Sequence, residues 1–409
     1  MPIQINLHQV VYALSDALDL VGVDDVHHGK RVALMAIECG RSLGLDEASL
    51  DTLFDAGLLH DCGVSSTHVH RQLIMEMDWK AAQAHCDRGY ALLETFAPLA
   101  HLAPYILYHH THWEALTHLH LPERVSTFSN LIFLADRADT LAASHYERDL
   151  LISVPAIQNS IAKFSGSFFA PPLVDAFLDA SRKEAFWLAL ESSHIHQSLE
   201  RMARGGAVAP IDLNQLKQLA TIFSSIVDAK SAFTVEHSLG VSRLAKLLGN
   251  LAGLPENTCD KLEIAGLMHD LGKLQVRDEI LEKPAPLSAE ERAAIARHSF
   301  ETYQILRRIP GLEEIAQWAA FHHETLNGEG YPYHHNADKL TVESRVIAIA
   351  DIFQALAQKR PYRASLPPHS ILEELQQLAE KQRLDASLIA LVAANLTLCW
   401  QAATQSAFV

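Results

Sequence analysis

Ten histidines and four aspartates of this chain stand in two series of the same order. The first runs His28, His60, Asp61, His85, His109, His110, Asp136; the second runs His237, His269, Asp270, His298, His322, His323, Asp351. Their spacing repeats as well. His28 and His60 are 32 residues apart, as are His237 and His269, and 24 residues separate both His85 from His109 and His298 from His322. Imidazole and carboxylate in one set suit first-row ions such as Fe, Mn, Zn, Ni or Co, and the lack of a thiolate argues against a structural zinc site. Seven ligands are too many for one tetrahedral ion. They suit two divalent metals bridged by the aspartate of the His-Asp pair, with solvent completing the open positions. Such pairs sit roughly 3.5–4 Å apart, clamp the attacking and leaving oxygens of an in-line displacement at phosphorus, and lower the pKa of water to about 7. Hydrolysis of a phosphoester is the chemistry expected.

The elements that must carry these side chains are helical. Apolar residues recur at three and four, as in Leu213, Leu216, Leu219, Phe223, Ile226 and Val227, while period-two alternation is scarce. An all-α fold is predicted, with a first helix over Ile5–Val23. Residues 51–63 (DTLFDAGLLHDCG) and 260–272 (DKLEIAGLMHDLG) share 8 of 13 positions at an offset of 209. The chain is therefore read as a tandem duplication of a unit of about 200 residues, far longer than a solenoid repeat. The Gly205-Gly206 pair and Pro210 punctuate a polar helix end, which places the domains at 1–204 and 205–409.

Composition narrows the function further. In 409 residues, 33 Lys plus Arg against 49 Asp plus Glu give a net charge of −16, which opposes binding to a DNA or RNA duplex. The five cysteines lack C-x-x-C spacing, as expected of reduced thiols in a cytoplasmic protein. No purely apolar run approaches the ~20 residues that span a bilayer, so no membrane partner is expected.

The second series resembles the HD superfamily of metal-dependent phosphohydrolases, and more closely its HD-GYP subfamily. The resemblance rests on HDLGK at 269–273, LEKP at 281–284, LSAEE at 287–291, HHE at 322–324, NGEGYP at 327–332, RVIAIAD at 345–351 and RPYR at 360–363. It spans residues 233–363 and implies a helical catalytic domain with an iron or manganese centre that opens a bacterial cyclic dinucleotide, cyclic di-GMP or 3′,3′-cyclic GMP-AMP. On this resemblance His237, His269, Asp270, His298, His322, His323 and Asp351 are the metal ligands, with Asp270 as the bridge. Lys273, four residues after His269 and on the same face if the helix continues, would hold a phosphate oxygen or assist the leaving alkoxide. Gly328 and Gly330 would allow close backbone approach, Tyr331 would line the pocket, and Arg360, Arg363 and Lys283 would hold phosphate. Members with a third metal carry Glu four residues before the first ligand His. Here Phe233 stands there, and Glu236 is adjacent to His237, so two metals are expected.

The first copy keeps His28, His60, Asp61, His85, His109, His110 and Asp136, a second candidate metal site. It has Val64 in place of Lys273 and no Gly-Tyr-Pro. Three readings are open for it: a regulatory metal or nucleotide sensor, a second phosphohydrolase acting on a linear product or mononucleotide, and a structural relic. For the whole chain, a 5′-nucleotidase-like HD enzyme and a non-catalytic signalling adaptor are the alternatives. The remaining histidines, His8, His70 and His112 among them, are read as ordinary packed or solvated residues, with His112 a lesser candidate for the first site. His334 and His335 are expected to face solvent. The motifs fix neither the purine preference nor the oligomeric state.

Overall fold

A computed structural model describes residues 3–21, 27–64, 66–75, 77, 81–205, 208–230, 235–359 and 364–405. Contacts divide the chain into a unit of Asn6–Ala209 and another of Pro210–Val409 with residues 1–5. Both units are helical. The only named strands among the described residues are Ile3–Asn6 and Val208–Ile211, which pair in a two-stranded ribbon. The expected first helix therefore begins at Leu7 and runs to Asp19. Asn6 is extended and its side chain accepts the N–H of Gln9, so its oxygen caps a start that periodicity alone put earlier.

In the C-terminal unit the helix Leu213–Ala229 opens on a capping box, in which Asp212 and Gln215 satisfy each other's backbone N–H groups. Its buried stripe includes Leu216, Leu219, Phe223 and Ile226. The long helices Val235–Leu251 and Glu256–Met268 pack on each other, and Val342–Ala357 packs against Val235–Leu251. The N-terminal unit repeats this with His28–Ser42, Glu47–Leu59 and Glu123–Ala142.

One glycine in each unit sets how near the first two of these helices come. A Cβ on Gly57 would lie 2.7 Å from the Cα of Ala33, and a Cβ on Gly266 would lie 2.7 Å from the Cα of Ser242. Backbone thus rides on backbone at both places. Gly57 is three residues before His60, Gly266 three before His269, so this approach brings His28 to His60 and His237 to His269. Ring centroids are 5.1 Å and 5.2 Å apart in the two pairs. Flanking side chains such as Leu53, Phe54, Leu262 and Ala265 are fully buried, each large one contributing about 1.5–3 kcal/mol. Among the described residues no single helix is long and apolar enough to cross a membrane.

Candidate metal centres

In the C-terminal unit, the last residue of each ligand-bearing turn aims its imidazole inward. The Nδ1–H of His269 donates to Gly266 O at 2.8 Å, that of His298 to Ile295 O at 2.6 Å, and that of His322 to Ala319 O at 2.6 Å. His237 uses its Nδ1 on the side-chain oxygen of Gln354. These bonds fix one tautomer, so each Nε2 turns a lone pair to the centre.

Three groups of ligand atoms, each within 4.8 Å of one another, result: His237, His269 and Asp351; His269, Asp270 and His322; His298, His322 and His323. Asp270 spans them. Its Oδ2 lies 3.3 Å from His269 Nε2 and 3.6 Å from His237 Nε2, while its Oδ1 lies 3.5 Å from His298 Nε2 and 4.0 Å from His322 Nε2. Asp351 Oδ1 is 3.2 Å from His237 Nε2.

The donor set fits divalent ions. The Nε2 atoms of His237 and His269 and the Oδ1 of Asp270 are buried with no hydrogen-bond partner, an arrangement that is costly in a dry interior. His298 Nε2 and His322 Nε2 face each other at 3.2 Å although both Nδ1 atoms are already donors. Two lone pairs in that position repel unless a cation joins them. Burial, and then the neighbouring His323, lower His298 to about 3 and hold His322 well below the ordinary histidine range, so both are neutral bases, the form that ligates metal. Burial opposes the charge on Asp270 and Asp351. For Asp270 the surrounding His269 and Lys273 outweigh it and for Asp351 the neighbouring His237 and His269 do, so both stay well below the ordinary carboxylate range.

Lys273 reaches Asp270 Oδ2 at 2.6 Å, by a route other than the one expected. The helix ends at Met268, and Leu271–Gln275 is a 3-10 turn. Gly272 sits in this turn where a Cβ would lie 2.1 Å from His298 O, so only bare backbone fits there. The tighter turn still brings residue 273 over residue 270.

Gly330 packs against the chain at the ligand pair. A Cβ would lie 2.5 Å from His323 O and from the backbone of Glu324 and Thr325. Gly328 takes a positive φ of 77°. The backbone N–H of Tyr331 donates to His323 O, and the Tyr331 ring stands 4.8 Å from the His323 ring. Glu324, which sequence reasoning left without a role, accepts the N–H groups of Tyr333 at 2.7 Å and His335 at 2.9 Å and so ties this loop to the ligand pair. His334 is exposed, whereas His335 packs on Phe321 and Tyr333. Lys283 lies with Lys273 on a cleft beside the centre and donates to both oxygens of Glu291. Glu236 is exposed on the first helical turn. Arg360, Arg363 and Phe233 lie outside the described residues.

The N-terminal unit builds a related site. Asp61, His85, His109 and His110 form one group of ligand atoms and His28, His60 and Asp136 another. The Nδ1–H groups of His60 and His109 donate to Gly57 O and Ile106 O. His60 Nε2 is buried without a partner, and His85 Nε2 faces His109 Nε2 at 3.2 Å. Asp61 Oδ1 is 3.3 Å from His85 and its Oδ2 3.6 Å from His60, so this aspartate also spans two groups.

Its surroundings differ. Behind His28 stands Asp139, whose Oδ2 accepts from Nδ1 at 2.7 Å, where the other unit has Gln354. Arg31 and Tyr146 hold the second oxygen of Asp139. Arg137 donates from Nε and Nη2 to Asp136 Oδ2. With Val64 in the place of Lys273, Asp61 is 15 % exposed, against 2 % for Asp270. Cys86, in the place of Ser299, lies 3.6 Å from His109 Nδ1. His70 is buried beside this site and lines a small cavity with His28, Asp61 and Val64. His112 instead stacks on Phe168, with centroids 3.8 Å apart. Asp139 and Gln354 each stand three residues after the last aspartate of their series, hence on the same helical face, and that spacing could have revealed them.

Two helical units, each gathering five histidines and two aspartates at one point, define a tandem HD-domain protein. The HD domain family matches residues 26–144 and, in a second form, residues 221–388. The chain is 36 % identical to 3′3′-cGAMP-specific phosphodiesterase 1 of Vibrio cholerae over 96 % of its own length and 92 % of that protein. It belongs to the HD-GYP family, in the form that carries two HD domains on one polypeptide. A solved structure of a cyclic GMP-AMP specific phosphodiesterase of V. cholerae, 27 % identical, superposes with a TM-score of 0.67 and covers 97 % of this chain and 98 % of that one. A cyclic di-GMP phosphodiesterase of Thermotoga maritima is 29 % identical over 41 % of this chain and 46 % of its own length.

Proposed function

We infer that the chain is a metal-dependent phosphodiesterase that opens a bacterial cyclic dinucleotide at its C-terminal centre, giving a linear 5′-phosphorylated dinucleotide. The observation that carries this is Asp270, shared between two groups of histidines and covered by Lys273 at 2.6 Å. Two divalent ions held by His237, His269, Asp270, His298, His322, His323 and Asp351 would polarise the phosphoryl oxygens and acidify water, with iron or manganese expected from the resemblance to the HD-GYP subfamily. Lys273 then has two duties, to hold Asp270 and to offer its remaining N–H groups to a phosphate oxygen or to the departing alkoxide. Tyr331 and Lys283 bound the space in which the rest of the substrate lies.

Among cyclic dinucleotides, 3′,3′-cyclic GMP-AMP is the preferred substrate in this reading. Support comes from coverage, because the 36 % identical cyclic GMP-AMP-specific enzyme and the superposed cyclic GMP-AMP specific structure match both units, while the Thermotoga cyclic di-GMP enzyme matches under half of the chain. Buried, unpaired cysteines at all five positions support action in the reducing cytoplasm. The N-terminal site acts as a second metal centre, either regulating the first or hydrolysing its linear product.

A substrate panel on the metal-loaded full chain tests this reading. Cleavage of 3′,3′-cyclic GMP-AMP above cyclic di-GMP, and of both above ordinary nucleoside monophosphates, is the expected order. Binding of cyclic dinucleotides without cleavage by fully metal-loaded protein would leave an adaptor, and preference for monophosphates would leave a 5′-nucleotidase.

A further inference from the structure

A cleft of about 570 Å³ opens beside the C-terminal centre, a size in the range of small-molecule sites. At one end is Lys273, whose ammonium touches the bridging Asp270. A substrate with phosphorus at the centre can extend its neighbouring group along this cleft. The walls are apolar and bear two prolines: Ile280, Leu281, Pro284, Pro286 and Ile295. Such walls suit the flat face of a nucleobase far better than a charged phosphate.

The polar group among those walls is Lys283. Its Nζ donates to Glu291 Oε1 at 2.8 Å and Oε2 at 2.7 Å, and an ammonium has three N–H groups, so one more donor remains. Glu291 is already committed to the start of the helix Ala289–Leu306, where its Oε2 also accepts the backbone N–H of Ser288 at 2.6 Å. What the cleft offers a ligand is therefore a positioned donor rather than an acceptor. A guanine edge presents two acceptors, O6 and N7, whereas adenine presents N7 beside an amino donor that an ammonium repels.

We propose that this cleft is a base subsite for guanine, and that Lys283 reads the O6 and N7 edge instead of holding phosphate. The assignment rests on the cyclic dinucleotide reading above and adds the residue that selects the base. It makes Lys283 a specificity residue with little part in the chemical step.

The test compares wild type, Lys283→Met and Lys283→Arg in the metal-loaded full chain, by calorimetric titration with GMP and AMP and by kinetics on 3′,3′-cyclic GMP-AMP. Wild type should bind GMP on the order of 10-fold tighter than AMP. Lys283→Met should remove that preference by weakening GMP alone, raise KM for the cyclic dinucleotide on the order of 10-fold, and leave kcat and metal content unchanged. Lys283→Arg keeps the donor and should keep the preference. Equal weakening of GMP and AMP in Lys283→Met would mean a phosphate contact and overturn the proposal, as would no change in either. If wild type cleaves no cyclic dinucleotide while its GMP preference depends on Lys283, the phosphodiesterase reading fails and the guanine subsite stands.

Discussion

At the scale of single residues, the two units differ by a paired exchange. Gly240 and Gln354 back the first ligand histidine in one, Arg31 and Asp139 in the other. A Cβ on Gly240 would meet Gln354 and the carbonyl of Ala403, so an arginine cannot take that place unless its surroundings change too. Burial disfavours a charge on His28, but Asp136 and Asp139 outweigh it and hold this histidine well above the ordinary range. A metal entering there must displace that proton. Loading of the N-terminal centre should therefore weaken steeply as pH falls from 8 to 6. Metal titration of the Asp270→Ala chain, in which only that centre remains, followed with a pH dye, should show proton release; a pH-independent affinity would contradict it. Lys273 supplies the second prediction. Lys273→Met should keep the metal content of wild type and lower kcat by about 10²-fold or more, the usual weight of a positioned acid or phosphate contact. Full activity in that variant would remove Lys273 from the mechanism.

At the scale of elements, the centres depend on glycines that let helices touch. Gly266→Ala forces a methyl against the backbone of Ser242, and the helix bearing His269 must move away from the helix bearing His237. The expected cost is about 1–3 kcal/mol of stability, together with loss of metal and turnover. Thermal unfolding and metal analysis of this variant check it, and an unchanged metal content would show that the helix contact does not set the ligand geometry. Much of this scale was legible in the sequence. The repeat around each His-Asp pair carried the duplication, and helical periodicity carried the elements, whereas the close approach at Gly57 and Gly266 emerged only from the packed helices. The ligand series was legible because polar residues in register stand out in an apolar core. What stayed hidden follows from contacts between distant segments. The turn after His269 packs its Gly272 on the backbone of His298, and Glu324 closes a loop nine and eleven residues ahead. His70 joined the cavity of the N-terminal site without any counterpart in the second series to flag it.

At the scale of the whole molecule, the duplication has given two clusters of metal-ligand type with different surroundings. The N-terminal unit also has a buried pair of its own. Asp55 lies 3.8 Å from His8, and burial followed by the charge of Asp51 pushes its carboxyl up to about 8, while burial lowers His8. The folded unit keeps a proton that the unfolded chain releases near pH 4. Stability from this group is full below that pH and is lost as pH rises toward 8. Asp55→Asn should therefore stabilise the N-terminal unit at pH 8 relative to pH 5 by at least about 1 kcal/mol. Unfolding midpoints at the two pH values measure the difference, and an equal effect at both would show that Asp55 ionises freely.

The division of labour is tested most directly by two matched variants of the full chain, Asp270→Ala and Asp61→Ala, assayed with 3′,3′-cyclic GMP-AMP and followed by product analysis. Loss of ring opening in Asp270→Ala alone, with the linear dinucleotide still formed by Asp61→Ala, is the predicted result. Ring opening that survives in Asp270→Ala and disappears in Asp61→Ala would move the catalytic centre to the other unit and contradict the account.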